Sequence, residues 1–235
     1  ENLTREGKFH NISFELHKSE VLGIAGMLGS GRTELLKSIF GADPYDSGNI
    51  YVNGVKVKQN ASPITMKKHG LGLTPEDRKQ EGLILIHSIQ DNLCYASMSR
   101  TSVGWLENKR FRSKIADEQV DGLQIKVPSV KATAGSLSGG NQQKVVVGNW
   151  LNTQPQIMLY DEPSRGIDVA AKQQIFEIMW EQSKRGIATI FGSSELEELL
   201  ETCNRILIMS NGKLTGEAYP DNLTVEALYS LCMED

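Results

Sequence analysis

The sequence is poor in several features that quickly narrow a function. It has three cysteines, Cys94, Cys203 and Cys232, and no two of them stand at a metal-ligand spacing. That spacing offers no zinc site, and buried or inert thiols in a reducing compartment are expected. There is no basic surplus. Twenty-five Lys and Arg face 29 Asp and Glu, a formal charge of −4, which argues against a dedicated nucleic-acid binder. No apolar run approaches the roughly 18 residues needed to span a bilayer. No secretory leader, internal repeat or low-complexity tract is visible. The first residue is Glu1 rather than a methionine, so a piece of a longer protein is expected, with any membrane role resting on a separate partner.

What is present is a chain of 235 residues, 39% hydrophobic. That length suits one large domain or a core with an inserted subdomain. "NISFEL" (11–16) alternates like a half-buried strand, and "VLGIA" (21–25) is a short apolar run ending at a glycine loop. "TELLKSIFG" (33–41) has helical spacing with Gly41 as a stop. "NIYVNGVKV" (49–57) reads as a hairpin, because Asn53-Gly54 favours a type I′ turn. "LGLT" (71–74) is a further strand, followed by the charged loop "PEDRKQEG". Residues 83–150 change character and read mainly as helices, an inserted subdomain. Three apolar strands follow at 157–160, 188–191 and 205–209, separated by helices at 169–184 and 195–202, and "SNGKLTGEA" closes as a hairpin. Alternating strands and helices indicate an α/β parallel sheet.

Three motifs carry chemistry. "GMLGSGRTE" (26–34) lies between a strand and a helix, the setting of a phosphate-binding loop. Its backbone N–H groups can wrap phosphate oxygens, and the following helix points its positive end at the same anion. Thr33 offers a hydroxyl to Mg²⁺. Arg32 stands where the pattern has lysine; it keeps the charge but is longer, planar and forked. Glu34 suits the helix dipole but puts a negative charge beside the anion site. "IMLYDEPSRGID" (157–168) ends an apolar strand in two carboxylates at the ligand edge of a sheet: Asp161 for Mg²⁺, Glu162 to polarise an attacking water. "LSGGNQQK" (137–144) joins backbone donors, a hydroxyl and a helix N-terminus, all suited to a γ-phosphate.

In order and spacing these motifs resemble the ATP-binding cassette of ABC transporters along essentially the whole chain. The resemblance implies an α/β P-loop NTPase (RecA-like) core with an N-terminal antiparallel β subdomain, over 1–82 and 151–235, and an inserted helical signature subdomain over 83–150. It assigns Gly26, Met27, Leu28, Gly29, Ser30, Gly31, Arg32 and Thr33 to Walker A, with Glu34 beside it. Leu137, Ser138, Gly139, Gly140, Asn141 and Gln142 become the signature. Asp161 closes Walker B, Glu162 is the catalytic glutamate and Asp168 the D-loop aspartate. ATP and Mg²⁺ are the implied cofactors, the metal held through Thr33 and Asp161. "PEDRKQEGL", "DEPSRGIDVAAK" and "SSELEEL" narrow the likeness to the C-terminal cassette of tandem ATPases that energise bacterial simple-sugar importers of the ribose, galactose and xylose type.

The departures shape the expected mechanism. The Q-loop glutamine is replaced by Glu76, the switch histidine by Ser194, and Phe9 is the one candidate for stacking on adenine. In this family two cassettes sandwich two nucleotides head to tail, so the resemblance implies an unequal pair. This chain's own Walker site binds ATP–Mg²⁺ and hydrolyses it slowly, while its signature completes the partner's site. The implied partners are a second cassette, a transmembrane permease and, indirectly, a periplasmic or extracellular sugar-binding protein, with the cassette peripheral at the cytoplasmic face of the membrane. Sugar recognition falls to the permease and binding protein. Two other readings stay open. One is a non-transport cassette of translation or DNA repair, against which the acidic charge and the lack of a heptad repeat argue. The other is a structural or regulatory pseudo-ATPase half, against which Asp161 and Glu162 argue.

Overall fold

A computed structural model describes residues 1–103 and 106–233 of the chain. Its central sheet has six strands, β1 (Val21–Ala25), β2 (Leu71–Thr74), β3 (Ile157–Asp161), β4 (Ala188–Ser193), β5 (Arg205–Ser210) and β6 (Lys213–Ala218), in the order β6-β5-β1-β4-β3-β2. β5, β1, β4 and β3 run parallel. β6 folds back antiparallel on β5 through Asn211 and Gly212, both at positive φ. Every residue of β1 and β4 is buried, which is why these strands read as unbroken apolar runs rather than as alternation.

The register sets the edge where chemistry can occur. Ser193 pairs with Ala25, and Gly192 pairs with Asp161. Three neighbouring strands therefore end within one residue of one another, and the residues that follow, Gly26, Glu162 and Ser194, emerge at the same edge. This is the carboxyl edge at which open α/β sheets bind ligands. The helix α1 (Arg32–Phe40) buries Leu35, Leu36, Ile39 and Phe40, and stops at Gly41, whose φ of 79° lets its N–H reach back to the Lys37 and Ser38 carbonyls.

An antiparallel pair, Leu3–Arg5 with Phe9–Ile12, and the short hairpin Tyr51–Val52/Val55–Lys56 make up the small β layer. Asn53 and Gly54 both sit at positive φ, as a type I′ turn demands. The strand expected over 11–16 ends at Ile12. Leu3 is the last ladder partner, and beyond it the Asn2 N–H donates to the Ser13 hydroxyl instead. A side chain captures the donor that a continuing ladder would use.

The chain divides into two compact units: Glu1–Leu73, Gln156–Glu162 and Met179–Asp235 form one, Thr74–Pro155 and Pro163–Ile178 the other. The second has its own core, in which Ile89, Leu93, Val145 and Val146 are fully buried. Its helices include α2 (Gly139–Leu151) and the first part of α3 (Val169–Lys184). It also holds a two-residue antiparallel pair, Ser102–Val103 with Leu106–Glu107, that the sequence pattern does not announce. The expected loop after β2 forms a π-helical turn, Arg78–Gly82, with Asp77 capping the Lys79 and Gln80 N–H groups. Among the described residues no helix is long and apolar enough to cross a membrane.

Leu22 lies in β1, fully buried, with strands on both sides. Leu22→Ala is expected to lower the unfolding free energy by about 2–5 kcal/mol, measured as a shifted urea midpoint at unchanged slope.

Candidate nucleotide-binding site

The glycine loop is shaped by places where a side chain cannot go. A Cβ on Gly26 would lie 2.4 Å from the Met209 carbonyl oxygen. Gly29 and Gly31 hold φ of 83° and 98°, and a Cβ on Gly31 would lie 2.6 Å from the Lys8 carbonyl oxygen. The Ser30 N–H donates to the Met27 carbonyl at 3.0 Å, closing the turn, and Met27 and Leu28 are exposed at its tip. α1 then starts from Gly31 with no side-chain cap. The positive end of the α1 dipole points at the loop, as an anion site requires.

At the end of β3, Asp161 is fully buried. Its Oδ1 accepts a hydrogen bond from the Thr33 hydroxyl at 3.1 Å, and its Oδ2 has no partner among the described residues. Burial pushes its pKa up to about 6 and the Glu162 carboxylate adds to the rise, while Thr33, Arg32 and Lys37 oppose it. A buried carboxylate oxygen with nothing to accept from, beside a hydroxyl, is what a hard cation takes. Thr33 and Asp161 thus fit Mg²⁺.

The arrangement that the sequence did not announce is between Arg32 and Glu162. Arg32 Nη2 donates to Glu162 Oε1 at 2.7 Å, with the two side chains 6% and 10% exposed. Its Nη1 reaches the Met27 carbonyl at 3.3 Å. The guanidinium therefore spends its fork on the end of β3 and on the glycine loop itself. Glu162 is at φ 45°, uncommon for a non-glycine residue, and its N–H donates to the Gly192 carbonyl at 2.9 Å. The one sequence signal for this pairing is the substitution of a long forked cation for lysine.

Other candidates fall as follows. Glu34 pairs with Lys8 at 2.8 Å, so its charge is met from outside the loop. Phe9 is 2% exposed in the β layer and presents no open ring face to a base, so its expected stacking role is corrected. Ser194 is exposed just past β4. Its buried neighbour Ser193 donates to Glu198 at 3.0 Å.

The remaining candidates lie in the second unit. Ser138, exposed, precedes α2 and accepts from the Asn141 amide at 3.0 Å, while Asn141 Oδ1 accepts from the Lys126 N–H at 2.9 Å. Leu137 is buried, and the buried Gln142 amide donates to the Ala134 carbonyl at 3.3 Å. A Cβ on Gly140 would lie 2.4 Å from the Cβ of Ala171. Asp168 Oδ1 accepts from the Ala171 N–H at 2.9 Å, capping α3. Glu76 pairs with Arg165.

The raised pKa of Asp161 has a consequence for stability. Its unperturbed value is 3.8. Where it is ionised in both states, its burial destabilises the fold, and that cost is relieved as pH falls through about 6. Asp161→Asn keeps an acceptor for Thr33 and removes the charge. Without nucleotide, the variant is expected to exceed the wild type by about 3 kcal/mol near neutral pH. Urea titrations should show the gap closing toward the acid end of that window.

Comparison with known proteins agrees with this geometry. The family described as ABC transporter matches residues 9–165. A ribose import ATP-binding protein of Bacillus cereus is 41% identical over 230 residues, 98% of this chain and 46% of the relative. One from Streptomyces avermitilis is 40% identical over 233 residues, 99% and 44%. The chain thus spans about half the length of the curated relatives it matches. Among solved structures, a nucleotide-free ATP-binding cassette from an ABC transporter has a TM-score of 0.82 at 21% identity, covering 100% of this chain and 94% of that one. A dimeric cassette in a post-hydrolysis state with ADP and Pi scores 0.81 at 20% identity, covering 95% and 98%. The glycine loop, the buried Asp161 and the family match together make this chain a member of the ABC transporter ATP-binding family.

Proposed function

We propose that this chain is one cassette of a two-cassette ATPase that energises import of a simple sugar through a membrane permease. Its own Walker site turns over slowly, and its signature, Ser138 to Gly140, serves the partner cassette's nucleotide. The similarity to ribose import ATP-binding proteins supports the sugar-import part. The observation that carries the slow-site part is the buried Arg32–Glu162 ion pair.

The loop N–H groups and the start of α1 would bind the phosphates of ATP. Thr33 and Asp161 would hold Mg²⁺, which when bound neutralises charge developing on the transferred phosphoryl group. Glu162 is placed to orient and deprotonate the attacking water, but Oε1 is already held by Arg32. Arg32 in turn points at Glu162 and Met27 rather than presenting one compact charge to the phosphates. Freeing Glu162 exposes two buried charges to each other's loss, and loss of a positioned base costs on the order of 10²–10⁴-fold in rate. Ser194, at the place of the switch histidine, has no imidazole to offer the γ-phosphate.

The test compares two substitutions in the assembled transporter. Ser138→Arg, which fills the donated signature, is expected to lower ATP hydrolysis by roughly 10-fold or more. Glu162→Gln, which removes this chain's own base and the charge facing Arg32 but leaves an amide oxygen to accept from it, is expected to change hydrolysis by less than about 3-fold in variants that thermal unfolding shows to be folded. The opposite ranking would show that this chain's own site is the efficient one.

A further inference from the structure

The segment Glu76-Asp77-Arg78 reads as part of a charged loop, yet Arg78 is 9% exposed. Its fork closes on two backbone carbonyls of the second unit. Nη1 donates to the Arg165 oxygen at 2.6 Å and Nη2 to the Gly166 oxygen at 3.0 Å. Nε is buried without a partner among the described residues. Gly166 is at φ 67°, a conformation that turns its carbonyl without steric cost. The neighbouring residues support the same contact. Glu76 pairs with the Arg165 side chain, and Asp77 caps the turn that begins at Arg78. Glu76 and Arg78 thus both hold the short stretch 165–166, while Asp77 fixes the turn from which Arg78 reaches it.

That stretch lies against the first residue of α2. A Cβ on Gly139 would stand 2.8 Å from Arg78 Nη2 and 2.9 Å from the Gly166 carbonyl oxygen. The glycine is therefore needed for the guanidinium to sit there. A cation at a helix N-terminus opposes the helix dipole, so the α2 dipole does not recruit Arg78. The two carbonyls compensate it, and its charge adds to the positive end of α2. Burial pulls the Arg78 pKa down and Asp77 pushes it back up; the guanidinium stays charged, as arginine does in proteins.

We propose that Arg78 is a positioning residue for the signature: it fixes the 165–166 carbonyls under the N-terminus of α2 and supplies that terminus with extra positive charge for a phosphate. The proposal rests on the reading that Ser138 to Gly140 serve the partner's nucleotide. ATP first docks on the partner's Walker motifs, so Arg78 should act when the signature engages, on kcat rather than on KM.

The experiment measures ATP hydrolysis by the assembled transporter, with kcat and KM for ATP determined separately. Arg78→Gln removes the charge and the fork, and is expected to lower kcat about 10-fold with KM changed less than about 2-fold. Arg78→Lys keeps the charge and one donor, and is expected to recover part of the loss. Glu76→Gln, a partly exposed change that spares the core, is expected to lower kcat 2–5-fold with KM unmoved, on the order of one weakened ion pair. Thermal unfolding of each variant is recorded alongside. If Arg78→Gln does not fold at assay temperature, Arg78→Lys and Glu76→Gln decide. Unchanged kcat in the folded variants, or a loss confined to KM, overturns the proposal. Ser138→Arg serves as the control. If it leaves hydrolysis intact, the donated-signature reading fails. If it abolishes hydrolysis while Arg78→Gln does not, only the role of Arg78 fails.

Discussion

Two opposite charges buried at the end of a sheet, Arg32 and Glu162, make the site depend on their mutual attraction. Removing either partner would leave the other unpaired in a place with little water, at a cost of several kcal/mol. The pair also ties the first residue of α1 to the residue after β3. The glycine loop is thereby fastened to the sheet edge from its far end as well as through β1. Outside the loop, Lys8 answers Glu34 in the same way. With these charges paired, Arg32 is committed to a carboxylate and Glu34 to an ammonium of this chain.

Around that pair the sheet register does the aligning. Ala25, Asp161 and Ser193 end their strands within one residue of one another, so a loop, a carboxylate and a serine turn meet without long connections. Asp161 is fully buried, and one of its carboxylate oxygens has no partner among the described residues. Its neighbour Glu162 leaves the strand direction at once, at positive φ, and that turn carries its carboxylate to Arg32.

The parts legible in the sequence were those set by neighbours along the chain. β1, β3 and β4 read as apolar runs because both faces are covered, and the Asn53-Gly54 turn follows from the conformations those two residues tolerate. The helix at 169–184 matched because its apolar spacing is long enough to be unambiguous. The parts that were not legible depend on partners far away in sequence. The first strand stops at Ile12 because Ser13 takes the Asn2 N–H. Arg78 reads only as part of a charged loop and is buried because carbonyls 87 and 88 residues later accept from it. Phe9 looked available to a base and lies in the core of the β layer. Arg32 was read as a phosphate ligand, and nothing within the loop shows that Glu162, 130 residues on, would claim it.

The contact between Gly140 and Ala171 bears on how this sequence can change. Only one of the two positions can carry a methyl group at the present spacing, since a second would stand 2.4 Å from the first. The two helices share a single small volume, owned at present by position 171. A drift to alanine at 140 is tolerated only with glycine at 171, so these two positions form one inherited character rather than two. The same limit sets how closely the start of α2 and the start of α3 can approach, whatever their exposed faces become.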